Sequence, residues 1–326
     1  MTNSRRQVVL RRVTWILIAF IGLAASLIAI TRTDDDPLGT LLAEWPMVAA
    51  AGGLYLVGMS IYSVSWSQLF DRSDNRRLIS LGFLISQPVK YLPGGIAQPI
   101  GQITLTAQAL GSTRRALVAF PAHVLINIVA AVTLGAPLLF FSEVAPLWRW
   151  LIVLVPMVWA ALNRRWMAGL LSLLARLHRM FQVSSDLPAQ SHINAAFGWA
   201  LLAHAAMFAS FGVLTAGSVP GWSVVSLSLA YAIAWLVGYV ALPAPAGLGA
   251  REAALVLFLG GAITAVDAVR ISAVHRIATL VVELTLLVVA AVMTRGVFTS
   301  TRETPRRIRT PHDEISPVRK RDEDTI

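Results

Sequence analysis

Lysine occurs only at Lys90 and Lys320 in this chain of 326 residues, against 25 arginines. Lys90 stands in Gln87-Pro88-Val89-Lys90-Tyr91-Leu92-Pro93-Gly94-Gly95, within an otherwise apolar stretch. An ammonium at membrane depth costs roughly 2.5–3.5 kcal/mol on insertion scales, so it has to face a partner or a wet cavity. Pro93 cannot continue a helix, and Gly94 and Gly95 let the backbone turn and approach a ligand. The residues after Gly95 open a new half-helix, whose free N–H groups and dipole favour an anion. A cation beside such a terminus makes a phosphate or carboxylate site, with Tyr91 at the same tip. The competing account is a lysine snorkelling above a structural break. Gln98 and Gln102 extend one face of the half-helix, where they either hydrogen-bond a headgroup or glue helices together.

A second break resembles the first in kind. Pro243, Pro245, Gly247 and Gly249 precede a half-helix that opens with Arg251 and Glu252. Arg251 is suited to bidentate contact with a phosphate. Glu252 suits the positive end of the helix dipole, and it has Arg251 or Lys90 as prospective partners. The plain alternative is a charge pair that stabilises the break. The last apolar segment carries His275, Arg276 and Glu283. Arg276 and Glu283 are seven residues apart and share a helical face. Glu283 is placed to neutralise Lys90 or Arg251, or to take a proton or a substrate amine. His123 and Asn127, four apart, either line a cavity together or hydrogen-bond between helices, and His204 reads as structural.

The elements that must position these residues are membrane helices. Of the chain, 56% is hydrophobic and 13% charged, against about a quarter charged in soluble domains. Cysteine is absent, which excludes thiolate metal sites and cysteine nucleophiles. A crossing needs about 20 apolar residues. The sequence predicts spans over 13–31, 46–70, 115–141, 148–162, 195–216, 224–242 and 271–293. The fold class expected is all-α, a polytopic transmembrane bundle of about 7–8 spans plus broken or re-entrant helices. Its parts are a cytoplasmic N-terminus at 1–12, a transmembrane region at 13–296 and a disordered cytoplasmic tail at 297–326. Arginines at 5, 6, 11, 12, 72, 76, 77, 114, 115, 164, 165, 176 and 179 fall on one side if the N-terminus is cytoplasmic, and Asp34, Asp35, Asp36, Glu44, Glu143 and Asp267 on the other. The positive-inside rule then puts both termini in the cytoplasm of a cell-membrane protein. The segment 78–110 has basic flanks and halves too short to span, so it enters and leaves by the cytoplasmic side. The second broken segment starts and ends outside, as a re-entrant hairpin or as two full crossings. Broken elements opening to opposite faces are expected of an inverted-topology repeat.

Residues 164–182 form an amphipathic pattern. Trp166, Leu170, Leu173, Leu177 and Phe181 share one face, and Arg165, Ser172, Arg176 and Arg179 the other. A helix lying on the cytoplasmic membrane surface is expected there. No P-loop, His-Glu-x-x-His or Gly-x-Ser-x-Gly motif is present, and the sequence gives no metal set, no cofactor and no enzyme. The basic charge follows from the positive-inside rule and calls for no nucleic acid.

The motifs Lys90-Tyr91-Leu92-Pro93-Gly94-Gly95, Gly111-Ser112 with Arg114-Arg115, and Pro245-Ala246-Gly247-Leu248-Gly249-Ala250-Arg251-Glu252-Ala253 resemble the flippase-like membrane region of the lysylphosphatidylglycerol synthase family. The resemblance covers roughly Val13 to Met293, as a stand-alone member without the synthase domain. It implies movement of a lipid between leaflets. Ala246 stands where the family often has glycine, and Gln102 where an arginine is common, so the family's headgroup preference does not carry over directly. The expected ligand is an anionic or aminoacylated phospholipid, or a polyprenyl-phosphate-linked lipid. Two other classes compete: a non-transporting scaffold or regulator of a membrane synthase or glycosyltransferase, and an intramembrane enzyme acting on a headgroup.

Overall fold

The computed structural model describes residues 45–91, 97–140, 154–177, 187–216, 218–219, 221–241, 247, 249–259 and 263–295, side chains at 154, 170–171 and 173–177 excepted. The expected helix 13–31, both termini, residues 148–153 of the expected fourth span, 178–182 of the amphipathic segment, and Pro93, Gly94, Gly95, Pro243 and Pro245 lie outside the described residues. The described residues form helices joined by short turns and loops, with no strand among them. In order, the helices are α1 (Trp45–Ser67), α2 (Arg76–Ser86), a 3-10 turn (Gln87–Tyr91), α3 (Ala97–Leu110), α4 (Thr113–Gly135) with a 3-10 extension (Ala136–Phe140), α5 (Leu154–Ala160), α6 (Arg164–Leu177), α7 (Gln190–Leu214), α8 (Val224–Val240), α9 (Ala250–Phe258) and α10 (Ala265–Met293).

Four of these are long and apolar enough to cross a membrane: Trp45–Ser67, Thr113–Phe140, Gln190–Leu214 and Ala265–Met293. At 17 residues, α8 is apolar but shorter. At about 1.5 Å per residue it covers about 26 Å, short of the roughly 30 Å hydrocarbon core. The last span starts earlier than its hydropathy indicates. Asp267, expected in an external loop, lies in the first turn of α10. Thr264 caps that turn: its hydroxyl accepts from the Asp267 N–H at 3.1 Å, while the Asp267 carboxylate accepts from the Thr264 N–H at 3.2 Å. This reciprocal cap satisfies two donors that would otherwise be left over, so a Thr-x-x-Asp sequence extends the helix beyond its apolar run.

In α10 the polarity is reversed relative to a helix of a soluble protein. Ser272, His275, Thr279 and Glu283 are buried, while Val281, Leu284, Val288 and Val292 are exposed. Apolar residues outward and polar residues inward is the arrangement a hydrocarbon surround selects. The most extensive helix contact joins α1 and α7. At Gly58 a Cβ would lie 2.6 Å from the Met207 side chain and 2.9 Å from the Ala203 carbonyl. Only glycine permits this approach, and close approach is what drives helix association in lipid.

Two apolar cores are formed among the described residues. One gathers Tyr62, Trp66, Phe83 and Ile126 between α1, α2, α4 and α7. Here Tyr62 stacks on His123 with centroids 5.2 Å apart. Asn127 donates to His123 Nδ1 at 3.4 Å within α4, and its side chain also hydrogen-bonds Tyr239. The Nδ1 of His204 meets the Ala200 carbonyl at 2.8 Å in the same core region, in keeping with a structural histidine. The second core gathers Phe208, Phe211, Tyr231 and Leu255 around α7, α8 and α9.

Polar ties fix the entry to the first broken element. Arg115 grips Asp74 with two nitrogens, at 3.0 and 2.7 Å, and reaches Asp71 at 2.8 Å. These bonds hold the Asp74 carboxyl below the usual carboxylate range. Ser112 caps α4 and Asn75 caps α2. In α6, Trp166 is exposed and Met167 is buried in the first core. The helix therefore docks on the bundle through a residue beside the apolar stripe expected from sequence, and leaves Trp166 outward.

Candidate functional site

Each broken element delivers one cation to the same place. Pro88 lacks an N–H, and α2 tightens after Ser86 into the 3-10 turn that carries Lys90 and Tyr91. Lys90 Nζ meets Glu283 Oε1 at 2.5 Å, and its ammonium sits 5.3 Å from the centroid of the Tyr91 ring. The Tyr55 hydroxyl donates to the same Glu283 oxygen. Glu283 is 1% exposed and Lys90 is half-buried. Of the two partners sequence allowed for Glu283, Lys90 is the one it has.

At the second break, Gly247 and Gly249 have φ of 70° and 81°, the left-handed region that glycine enters without strain. A Cβ on Gly247 would also fall 2.7 Å from the Gly238 Cα, so the break passes directly against the backbone of α8. The α9 helix then begins at Ala250. Its third residue, Glu252, folds back and accepts the Gly249 N–H at 2.7 Å. The other Glu252 oxygen accepts from Ser272 at 2.7 Å and from Arg276 Nη2 at 2.8 Å. Sequence proposed Arg251 or Lys90 as the Glu252 partner; the structure adds Arg276, which sequence had not paired with it.

Arg251 is oriented by a hydrogen-bond relay. Its Nη1 donates to the Tyr231 hydroxyl at 2.9 Å, and the guanidinium lies 5.4 Å from that ring's centroid. Having accepted there, Tyr231 sends its own proton to His275 Nδ1 at 3.2 Å. The His275 Nε2–H is then the donor to Ser210, at 3.1 Å. One tautomer satisfies the whole series. Phe211 stacks on Tyr231 with centroids 4.2 Å apart and holds the ring flat.

The cations converge on a cavity of about 30 Å³ whose walls include Lys90, Arg251, Arg276, Tyr91, Tyr231 and Trp235. That is room for about two waters, so a lipid headgroup fits only when the walls part. Glu252 and Glu283 are not part of the lining. Each stands behind a cation and holds it. Burying three cations would be prohibitive without such support, since a buried charge must be paired or hydrogen-bonded. The arrangement presents positive charge forward and keeps the carboxylates out of competition for an incoming anion. All of it lies within the unit Met1–Thr294.

Of the residues singled out from sequence, Lys90, Tyr91, Arg251, Glu252, Arg276 and Glu283 are brought together. Gln98 and Gln102 are not: Gln98 donates to Gln102 at 3.1 Å, Gln102 is buried, and neither lines the cavity. Sequence reasoning passed over Tyr55, Tyr231, Ser210, Ser272 and Thr279. Hydroxyls within long apolar spans were the available signal, because a buried hydroxyl in hydrocarbon requires a partner. Comparison with protein-family models, curated proteins and solved structures finds no match to this chain.

Proposed function

We propose that this protein moves an anionic lipid between the leaflets of the cell membrane. The observation that carries this reading is the cavity lined by Lys90, Arg251 and Arg276, with Glu252 and Glu283 withdrawn behind them, between two helix breaks in a chain of membrane-length apolar helices. A transporter needs its binding residues on discontinuous helices, because a break supplies both a helix terminus for the ligand and a place to bend. Here the half-helices carry Lys90 and Arg251, and α10 links them through Glu283 and Arg276. In this reading the chain has about 7–8 crossings and both termini in the cytoplasm, and the broken segments form an inverted repeat. The headgroup's phosphate sits among the three cations while the acyl or prenyl tails stay in lipid. The resemblance to the flippase-like region of lysylphosphatidylglycerol synthases points the same way. No soluble cofactor and no nucleic acid take part.

The test is headgroup-resolved movement of acyl-labelled lipid in proteoliposomes, comparing wild type with Lys90→Ala and Arg251→Ala. Wild type should move phosphatidylglycerol or a polyprenyl phosphate, and both stably inserted variants should lose most of that movement. Unchanged movement in both variants refutes the mechanism. No movement by correctly folded wild type turns the reading to a scaffold for a membrane synthase or glycosyltransferase.

A further inference from the structure

We infer that the ligand of this cavity is a phosphate ester carrying no cationic group, so that a headgroup with an ammonium beside its phosphate is rejected. This deepens the proposed function for the lipid part, and its charge argument stands on the cavity alone. The wall presents three cations and no carboxylate among the described residues. The undescribed residues of the two breaks, 92–96, 242–246 and 248, contain no Asp or Glu either. The nearest carboxylates, Glu252 and Glu283, stand outside that lining. Glu283 Oε1 takes Lys90 and Tyr55, and its Oε2 is buried away from the lining with no hydrogen-bond partner among the described residues. Glu252 takes Ser272 and Arg276 on one oxygen and the Gly249 amide on the other.

Aromatic rings are the other means of holding an ammonium. Here the Tyr91 ring already carries Lys90 and the Tyr231 ring already carries Arg251. The Trp235 indole is stacked on Tyr239, with centroids 4.7 Å apart. A second cation at any of these three would meet a like charge or a covered face, and the two other aromatic residues of the lining, Tyr55 and Phe208, are packed against His275 and against Tyr231 and Trp235. The three cations and two carboxylates that gather here give the site a single net positive charge, which one phosphodiester neutralises. An ammonium within about 6 Å of a wall cation, at an effective dielectric of about 20, is repelled by the equivalent of about a hundredfold in affinity. The Glu252 and Glu283 carboxylates behind the wall offset part of that, which leaves a discrimination of at least about tenfold.

The ligand's phosphate can belong to a lipid or to a soluble ester, and calorimetric titration of the purified full chain in detergent separates these. Three probes suffice: dihexanoyl phosphatidylglycerol, dihexanoyl phosphatidylethanolamine and glycerol 3-phosphate. The expected result is that phosphatidylglycerol binds at least about tenfold more tightly than phosphatidylethanolamine, and that Lys90→Met narrows the gap. Equal or tighter binding of phosphatidylethanolamine overturns the inference and leaves lipid translocation standing. Binding of glycerol 3-phosphate as tight as that of phosphatidylglycerol keeps the charge rule and overturns the lipid reading. Binding of none of the three overturns both.

Discussion

The Lys90–Glu283 pair should act as a structural strut and a binding element at once, and a double-mutant cycle separates these roles. Glu283 is 1% exposed, while the Lys90 side chain retains 29% exposure. With charge centres about 3.5 Å apart and an effective dielectric of about 20, the attraction is about 5 kcal/mol. Partial hydration of Lys90 lowers this to about 3 kcal/mol. Lys90→Met strands a buried carboxylate that keeps only Tyr55, and should cost about 3 kcal/mol. Glu283→Gln leaves an acceptor for Tyr55 and a lysine that water can reach, and should cost about 2 kcal/mol. The double variant removes both charges and should cost about 2 kcal/mol, not the roughly 5 kcal/mol of additivity, a coupling of about 3 kcal/mol. The assay is equilibrium unfolding in mixed micelles titrated with sodium dodecyl sulfate, followed by helical circular dichroism. Additive costs would refute the pairing. Lipid movement supplies the second arm: the double variant, though no less stable than Glu283→Gln alone, should move no lipid, because the cavity has lost a cation. Movement at the wild-type rate would reduce Lys90 to a strut.

Tyr231→Phe removes the acceptor of Arg251 and the donor to His275 together, and should cost about 2–4 kcal/mol in stability. It should weaken phosphatidylglycerol binding more than Ser210→Ala does, as read by the same calorimetric titration, because Ser210 sits at the far end of the relay. Gly58→Ala drives a Cβ into Met207 and the Ala203 carbonyl and should cost about 1–3 kcal/mol. Gly53→Ala meets nothing within 4 Å and should be neutral or stabilise α1 by up to about 1 kcal/mol; unfolding of the two variants side by side checks the contrast. The Asp74 carboxyl, held low by Arg115, contributes stability above its ordinary titration range that is lost as pH falls through its folded value. The stability gap between wild type and Asp74→Asn should thus be constant near neutrality and shrink below about pH 4. A gap that widens on acidification would refute the assignment.

Features that depend on local composition are legible in the residues alone. Apolar run length placed the spans that became α1, α4, α7 and α10, because hydrocarbon thickness sets helix length directly. Proline and glycine marked both breaks, since the missing N–H of proline and the positive φ open to glycine are properties of single residues. Lys90, Arg251, Arg276 and Glu283 stood out because an ionised side chain in an apolar run is costly wherever the chain folds. Even the shared face of Arg276 and Glu283 follows from helical geometry alone.

Tertiary structure decided who pairs with whom. Lys90 and Glu283 are 193 residues apart, and Glu252 and Arg276 are 24 apart. Several cations and carboxylates of suitable type were available to each, so the choice depended on which helix faces meet. The withdrawal of both carboxylates behind their cations, and the removal of Gln98 and Gln102 from the site, likewise come from the packing of α3, α9 and α10. The relay through Tyr231, His275 and Ser210 draws one residue from each of three helices. Charge and span are encoded residue by residue. The direction in which a charge faces is encoded only in the packing that satisfies it, because a buried polar group takes whatever partner the assembled bundle brings within reach.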